Sequence, residues 1–353
     1  EEEEEEEEEE EQEEREADKY AEEEDGASPA LEPSANPLIA LLPTHHEFHV
    51  EAAAAERYLP VVRFTFLERV VLANLPPAVP CRAVHRGFML SAERYRKFHA
   101  LLADMDVHLI VGPEEYERAH YYPNVFPALR PISPNAVWVP VESPKLVHAA
   151  LFKDAVQTIK TWPDCQFVLL KDYVKSPKDV TQRFMKADVG PDLADLACEL
   201  VAVRGDRFNR GVVFKEWIPL VFYMARCGAV TNEWRLFFIG SQLLSMDPNS
   251  FQDVNCCSPP PDIIVAAAQE AVRQVGSPYM TVDLAEGEDR WFALEAGDGG
   301  VSGPAPSQNL ELHWAALAKH FQPIPSADSE DLDVCPVCGG SGRLLDKECP
   351  LCC

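Results

Sequence analysis

Residues 278–303 constrain the fold of this 353-residue chain more than any other stretch. They predict two strands, 279–285 and 291–295, because alternating apolar residues on both sides of a charged, glycine-containing turn are typical of a hairpin. Each strand carries one acid among apolar neighbours, Asp283 and Glu295. Side chains alternate between the two faces of a strand, so a turn that pairs odd positions with odd positions puts both carboxylates on one face.

Two acids in so apolar a hairpin have two possible roles. They repel each other unless a cation or a hydrogen-bond donor lies between them. Carboxylate oxygens are ligands that suit Mg²⁺, whose coordination is often completed by the phosphate oxygens of a nucleotide. The alternative is that both acids are solvated on the wet face of the hairpin. The hairpin alone leaves both interpretations open.

Further charged residues stand at or near the ends of predicted apolar strands upstream, within residues 166–171, 212–218 and 232–239. Lysine presents a compact charge to phosphate oxygens, and the forked guanidinium of arginine stabilises charge that develops on them. The candidates in chain order are Lys171, Lys175, Lys215, Glu216, Trp217, Ile218, Glu233 and Arg235.

A lysine, a strand-end glutamate, a Glu-x-Arg sequence, an aspartate and a final glutamate follow one another in this order. The order resembles the ATP-grasp superfamily over roughly residues 38–322. The resemblance is closest to its RNA-ligase-like clade, which also has eukaryotic cell-division-cycle relatives. It implies an α+β fold in which two α+β lobes clamp ATP, preceded here by an N-terminal α/β segment.

The resemblance also implies roles for the candidates. Lys171, Lys175 and Arg235 would contact phosphates, with Lys171 and Arg235 acting in catalysis. Asp283 and Glu295 would bind Mg²⁺. The contacts to the rest of the nucleotide or to Arg235 would come from Lys215, Glu216, Trp217, Ile218 and Glu233.

Two positions need separate comment. Family members usually have Asn or a similar metal ligand two residues after the final acid, where this chain has Gly297, so Asp298 is the candidate replacement. Arg86 followed by Gly87 resembles an Arg-Gly element of the clade, which implies that Arg86 faces a phosphate of the nucleotide or of a nucleic acid and takes part in catalysis. An ordinary surface arginine is the alternative reading of Arg86.

The composition predicts appended ends around a folded body. Residues 1–25 hold 19 acids and 2 bases, a net −17 out of the −28 of the whole chain. Such a segment repels itself and is expected to be disordered. The predicted segments are a tail and linker (1–37), an N-terminal α/β domain (38–142), a nucleotide-binding domain (143–322), a linker (323–334) and a zinc ribbon (335–353).

The last segment contains two Cys-x2-Cys pairs at a spacing typical of a structural zinc site. The four thiolates belong to Cys335, Cys338, Cys349 and Cys352. The Cys-x2-Cys-x-Gly-x-Gly form resembles half of the zinc module of DnaJ-like chaperones. Disulfides are the alternative, and they fit poorly with a chain that has no secretory signal pattern and no membrane-length apolar run. The expected location is the cytosol.

Together these features predict a Mg-ATP-dependent ligase that binds ATP, Mg²⁺ and Zn²⁺ and activates either an RNA end or a carboxylate. A second hypothesis is an ATP-binding assembly factor or chaperone that holds a protein client without turnover. The glycine at 297, the zinc knuckles and the acidic tail favour the second hypothesis. The oligomeric state cannot be read from the sequence.

Overall fold

The computed structural model describes residues 36–66, 70–74, 76–174, 182–225, 228–249, 258–321, 343–344 and 347–348. Residues 1–35 of the predicted tail, Lys175, the linker 323–334 and the four predicted zinc ligands lie outside the described residues. Among the described helices, none is long and apolar enough to cross a membrane.

The elements are numbered in chain order. The strands are β1 (Leu38–Pro43), β2 (Val61–Phe66), β3 (Val70–Leu72), β4 (Cys81–His85), β5 (Val107–Leu109), β6 (Ala136–Pro140), β7 (Phe167–Asp172), β8 (Ala187–Asp188), β9 (Gly211–Glu216), β10 (Phe222–Ala225), β11 (Gly228–Thr231), β12 (Glu233–Ile239), β13 (Gln242–Pro248), β14 (Tyr279–Glu286), β15 (Trp291–Asp298), β16 (Arg343–Leu344) and β17 (Lys347–Glu348). The α-helices are α1 (His49–Ala55), α2 (Ala92–Ala103), α3 (Pro113–His120), α4 (Tyr122–Leu129), α5 (Lys153–Ile159), α6 (Gln182–Met185), α7 (Leu193–Arg204), α8 (Asp262–Val275) and α9 (Leu310–Phe321).

The N-terminal sheet has the strand order β3-β2-β1-β4-β5 and is parallel except for β3. Every residue of β1 is buried, as expected for a parallel strand covered on both faces. Helices α1 and α2 contribute to its core, and α9 adds Trp314 and Leu317 from far along the chain. The end of the described body therefore packs back onto its beginning.

The middle sheet has the order β6-β9-β7-β8 and is antiparallel. Alternation along the strands sends Leu170 and Phe214 into a core with α5 and α7. The same alternation turns Lys171 and Lys215 to the opposite face. Strand β6 lies within the segment 38–142 of the sequence analysis, yet it pairs with β9 of this sheet.

The C-terminal sheet has the order β13-β12-β14-β15 and is antiparallel. The predicted hairpin is confirmed as β14 and β15, with Asp283 directly opposite Glu295. Arg235 of β12 lies opposite Asp283, so these three charged side chains share one face. The other face packs apolar residues such as Leu236 and Val282 into a core with α8.

A continuous helix from Ser143 to Lys160, which the sequence predicts, does not form. Short 3-10 turns occupy Pro144–Leu146 and Ala149–Phe152, and α5 begins only at Lys153. The reason is local, because Ser143 makes no side-chain cap hydrogen bond and His148 adopts an extended backbone that interrupts the helical ladder.

Candidate functional site

The charged faces of the middle and C-terminal sheets meet, and two lysines connect them. Lys171 Nζ lies 2.6 Å from Glu295 Oε1, and the lysine is only 3% exposed. Lys215, also buried, donates to the carbonyl oxygen of Leu294. Both lysines of the middle sheet therefore contact β15.

The ring of Tyr122, at the start of α4, lies beside both lysines. Its centroid is 5.3 Å from Lys171 Nζ and 5.2 Å from Lys215 Nζ, distances at which a ring face attracts a cation. Burial and the positive charge of Lys171 lower the pKa of Lys215 to about 7, although Glu295 opposes this shift. Sequence reasoning missed Tyr122, because nothing in its local pattern distinguishes it from an ordinary core tyrosine.

Arg235 and Asp283 form a two-pronged ion pair on the C-terminal sheet. Arg235 Nε lies 2.8 Å from Asp283 Oδ1 and Nη2 lies 2.6 Å from Oδ2, while Nη1 donates to the Gly303 carbonyl at 2.7 Å. Burial lowers the pKa of Arg235, but the hydrogen bonds and charge of Asp283 raise it overall. The guanidinium is therefore fixed in orientation and positively charged.

Two residues that the sequence analysis did not single out complete this face. Asn249, just beyond β13, donates from Nδ2 to Asp283 Oδ2 at 3.2 Å. Asp247 lies opposite Arg235 on β13, and burial raises its pKa. Among the described residues, Asp247 has no ion-pair partner. Polar residues at the end of an apolar strand were the available signal for both.

The residues present fit a hard cation. Asp283 and Glu295 offer carboxylate oxygens on one face, and the amide of Asn249 reaches the same carboxylate as Arg235. Oxygen donors of this kind are the ligands that Mg²⁺ takes in proteins. Glu233 lies two residues before Arg235, hence on the same face, and accepts a hydrogen bond from the Thr231 hydroxyl.

Asp298 is not brought to this site, contrary to its predicted role as replacement ligand. It is the last residue of β15 and is 1% exposed. Its carboxyl group lines a small cavity with His85 and Tyr95, and Oδ1 accepts a hydrogen bond from Gly300 N at 2.9 Å as the chain turns away from the strand. Burial raises the pKa of Asp298 to about 7.

Arg86 does not face a phosphate site in this structure, which corrects the prediction for it. It is 2% exposed, and its Nε lies 2.6 Å from Glu51 Oε1. Nη1 donates to the Gly299 carbonyl, and the guanidinium carbon lies 5.5 Å from the centroid of the Phe237 ring. The bonding capacity that a phosphate would use is taken by the protein itself.

The predicted nucleoside contacts are placed at the end of β9. Glu216 Oε2 accepts hydrogen bonds from Asn135 N at 3.2 Å and Nδ2 at 2.9 Å, and the alternation of β9 points Glu216 away from the face of Lys215. The ring of Trp217 packs at right angles to Phe167, with Lys186 Nζ 3.9 Å from its centroid. Ile218 follows the strand and is partly buried. Only main-chain contacts to an adenine would therefore come from this segment without rearrangement.

Comparison with known proteins agrees with this arrangement. Residues 149–317 match the model of an ATP-grasp domain family, the third family of its clade, and this part of the chain is an ATP-grasp domain. The structure of D-cycloserine synthetase DcsG is similar with a TM-score of 0.54 and 15% identity, covering 81% of this chain and 100% of that one. A RimK domain ATP-grasp protein from Sphaerobacter thermophilus has a TM-score of 0.51 and 18% identity, covering 80% and 98%. No curated protein sequence matches the chain. The predicted ATP-grasp fold is thus confirmed.

Proposed function

We propose that this chain binds Mg-ATP between the middle and C-terminal sheets and uses it to activate a carboxylate for ligation to an amine. The observation that carries the proposal is the direct contact of Lys171 on one sheet with Glu295 on the other. It joins a phosphate-binding residue type to a metal-binding residue type at the junction of the two lobes of an ATP-grasp fold.

Each charged residue has a task in this chemistry. Lys171 and Lys215 bind phosphate oxygens as compact charges, and Arg235 stabilises the charge that develops on the transferred phosphoryl group. Asp283 and Glu295 would hold Mg²⁺, which would neutralise phosphate charge when bound. These roles follow from residue type and from the shared location of the five side chains.

The reaction balances as two displacements. A carboxylate oxygen of the substrate attacks the γ-phosphorus of ATP, the bond to the β-phosphate bridging oxygen breaks, and ADP leaves. The amine nitrogen of the acceptor then attacks the acylphosphate carbonyl, loses a proton and displaces inorganic phosphate. Holding the reactants in line and excluding water are the main contributions that the fold can make.

A carboxylate is favoured over an RNA end by the position of Arg86. The RNA hypothesis depended on this arginine facing a phosphate, and it is buried against Glu51. The body after the tail is also acidic overall, whereas tight nucleic-acid binding normally depends on clustered bases.

The test is to incubate the full chain with Mg-ATP and pools of carboxylates, amines or RNA ends, and to measure ADP, AMP and phosphate. The proposal expects ADP and phosphate in equal amounts, stimulated only when a carboxylate and an amine are both present. Stimulation by RNA ends alone would contradict the carboxylate assignment. Stable ATP binding without any product, together with capture of a protein client, would favour the assembly-factor hypothesis.

We also propose that Cys335, Cys338, Cys349 and Cys352 bind one structural zinc ion in the cytosol, where thiols stay reduced. Metal analysis of the purified chain should give one zinc per chain, lost in a Cys335→Ser, Cys349→Ser variant. Zinc-free protein with disulfides at these positions would contradict the assignment.

A further inference from the structure

We propose that the site rests in a self-neutralised state, in which its phosphate-binding cations are held by its metal-binding carboxylates, and that Mg-ATP binding exchanges these partners. The inference rests on the proposed function, because it takes Mg²⁺ and nucleotide as the ligands of this site. It adds how their binding is coupled.

The first resting pair is Arg235 with Asp283. Two of the three guanidinium nitrogens are directed at the two carboxylate oxygens, at 2.8 and 2.6 Å, and the side chains are only 19% and 10% exposed. Arg235 therefore cannot offer this edge to a phosphate, nor Asp283 these oxygens to a cation, without breaking a pair that is largely out of water.

The second resting pair is Lys171 with Glu295, with side-chain exposures of 4% and 39%. The lysine is enclosed, whereas the carboxylate reaches solvent. Loss of Lys171 from Glu295 therefore leaves a carboxylate that water can partly stabilise. This makes the second pair the easier of the two to open.

Either ligand alone meets an energetic obstacle at these pairs. Metal-free ATP would take Arg235 from Asp283 and leave a poorly solvated carboxylate beside phosphate oxygens of the same sign. A divalent cation alone would leave the guanidinium without its partner. Binding both ligands gives every charge a new partner, because the cation takes the carboxylates and the phosphates take Arg235 and Lys171.

The neighbouring contacts suit an exchange of partners. The Gly303 carbonyl keeps its bond to Arg235 Nη1 when Asp283 departs, and the Asn249 amide keeps its bond to Asp283 when Arg235 departs. Both groups are thereby held in place through the change.

The test uses an outcome that a simple metal-ligand role would not produce. In EDTA, Asp283→Asn should bind metal-free ATP about tenfold more tightly than the wild type, because the cost of separating a charged pair is removed. Glu295→Gln should give a smaller gain of about threefold, since Glu295 is more exposed. Both substitutions keep the shape of the side chain.

The matched control is Asp247→Asn. It removes the same charge from the same sheet face, from the residue on the other side of Arg235 that is not paired with it. It should change metal-free ATP affinity by about twofold or less, since only the general field changes. The experiment is a calorimetric titration of ATP into each full-length variant in one EDTA buffer, and of the wild type with Mg²⁺.

The outcomes separate the two proposals. A gain for Asp283→Asn well above that of Asp247→Asn supports partner exchange. If the wild type binds Mg-ATP but Asp283→Asn gains no more than its control, partner exchange is overturned and the proposed function stands. If the folded wild type binds no ATP with or without Mg²⁺, the proposed function is overturned, and this inference with it.

Discussion

Arg86 joins three distant parts of the chain: Glu51 in α1, the Gly299 carbonyl after β15, and the ring of Phe237 in β12. Replacing it leaves a buried carboxylate without a partner. We predict that Arg86→Met lowers the free energy of unfolding by about 3 to 5 kcal/mol, measured by urea denaturation.

The control for Arg86 is Arg94→Met, at an exposed position of α2, which should change stability little. Because the two partners act on each other, Glu51→Gln combined with Arg86→Met should cost less than the sum of the single changes. A fully stable Arg86→Met protein that had lost phosphate or RNA binding would instead restore the role predicted from the sequence.

Asp298 gives the folded protein a pH dependence of known sign. Burial raises its pKa from the ordinary 3.8 to about 7, so the folded state favours the protonated acid. The stability that this preference contributes is complete below the unfolded pKa and is lost as the pH rises through about 7.

Asp298→Asn removes this dependence while an amide oxygen can still accept from Gly300 N. Between pH 4 and pH 8 the unfolding free energy of the variant should rise relative to wild type by about 2 to 4 kcal/mol. Denaturation at several pH values measures the difference. A difference that does not change with pH would show that the carboxyl group is not held protonated.

At the scale of elements, the hairpin of β14 and β15 was readable from the sequence because alternation, a charged turn and two acids all lie within one local stretch. Its register was not. A shift between Asp283 and Leu284 makes Asp283 the direct partner of Glu295, and it depends on how β15 packs rather than on the turn. The predicted helix from Ser143 failed for the complementary reason, since its cap pattern was present but the cap bond was not.

Gly297 gives an element-scale prediction. A Cβ placed there would meet Ser302 Oγ at 3.7 Å and Thr281 Oγ1 at 4.0 Å, which are ordinary contacts. Gly297 shares the face of Glu295, so Gly297→Asn should be tolerated and should add an amide oxygen to the proposed metal site. We expect Mg²⁺ to enhance ATP binding several-fold more in this variant than in the wild type, by calorimetry.

The control for Gly297 is Gly299→Ala, because a Cβ at Gly299 would lie 2.7 Å from the ring of Tyr279, which is fully buried. That change should destabilise the fold by about 1 to 3 kcal/mol. Unchanged Mg²⁺ dependence in a stable Gly297→Asn protein would argue that the carboxylates of β14 and β15 do not bind the metal.

At the scale of the whole molecule, what the sequence could not provide is how the sheets meet. Lys171 and Glu295 are 124 residues apart, and nothing local to either residue indicates that they touch. The lysine pattern identified strand ends, but Tyr122 came from a helix of another predicted segment. Arg86 was placed at a phosphate because its short motif is visible in the sequence, whereas the buried Glu51 that pairs with it is not.

The measurement that tests the central claim most directly is calorimetric titration of Mg-ATP into the full chain, its Lys171→Ala variant and a Lys97→Ala control. Lys97 is exposed on α2 and pairs only within its own helix. We predict saturable binding by the wild type and the control, weakened at least about tenfold in Lys171→Ala, because a charge-assisted contact to phosphate is lost. Equal affinity in all three folded proteins, or no binding by any of them, would contradict a nucleotide site between the two sheets.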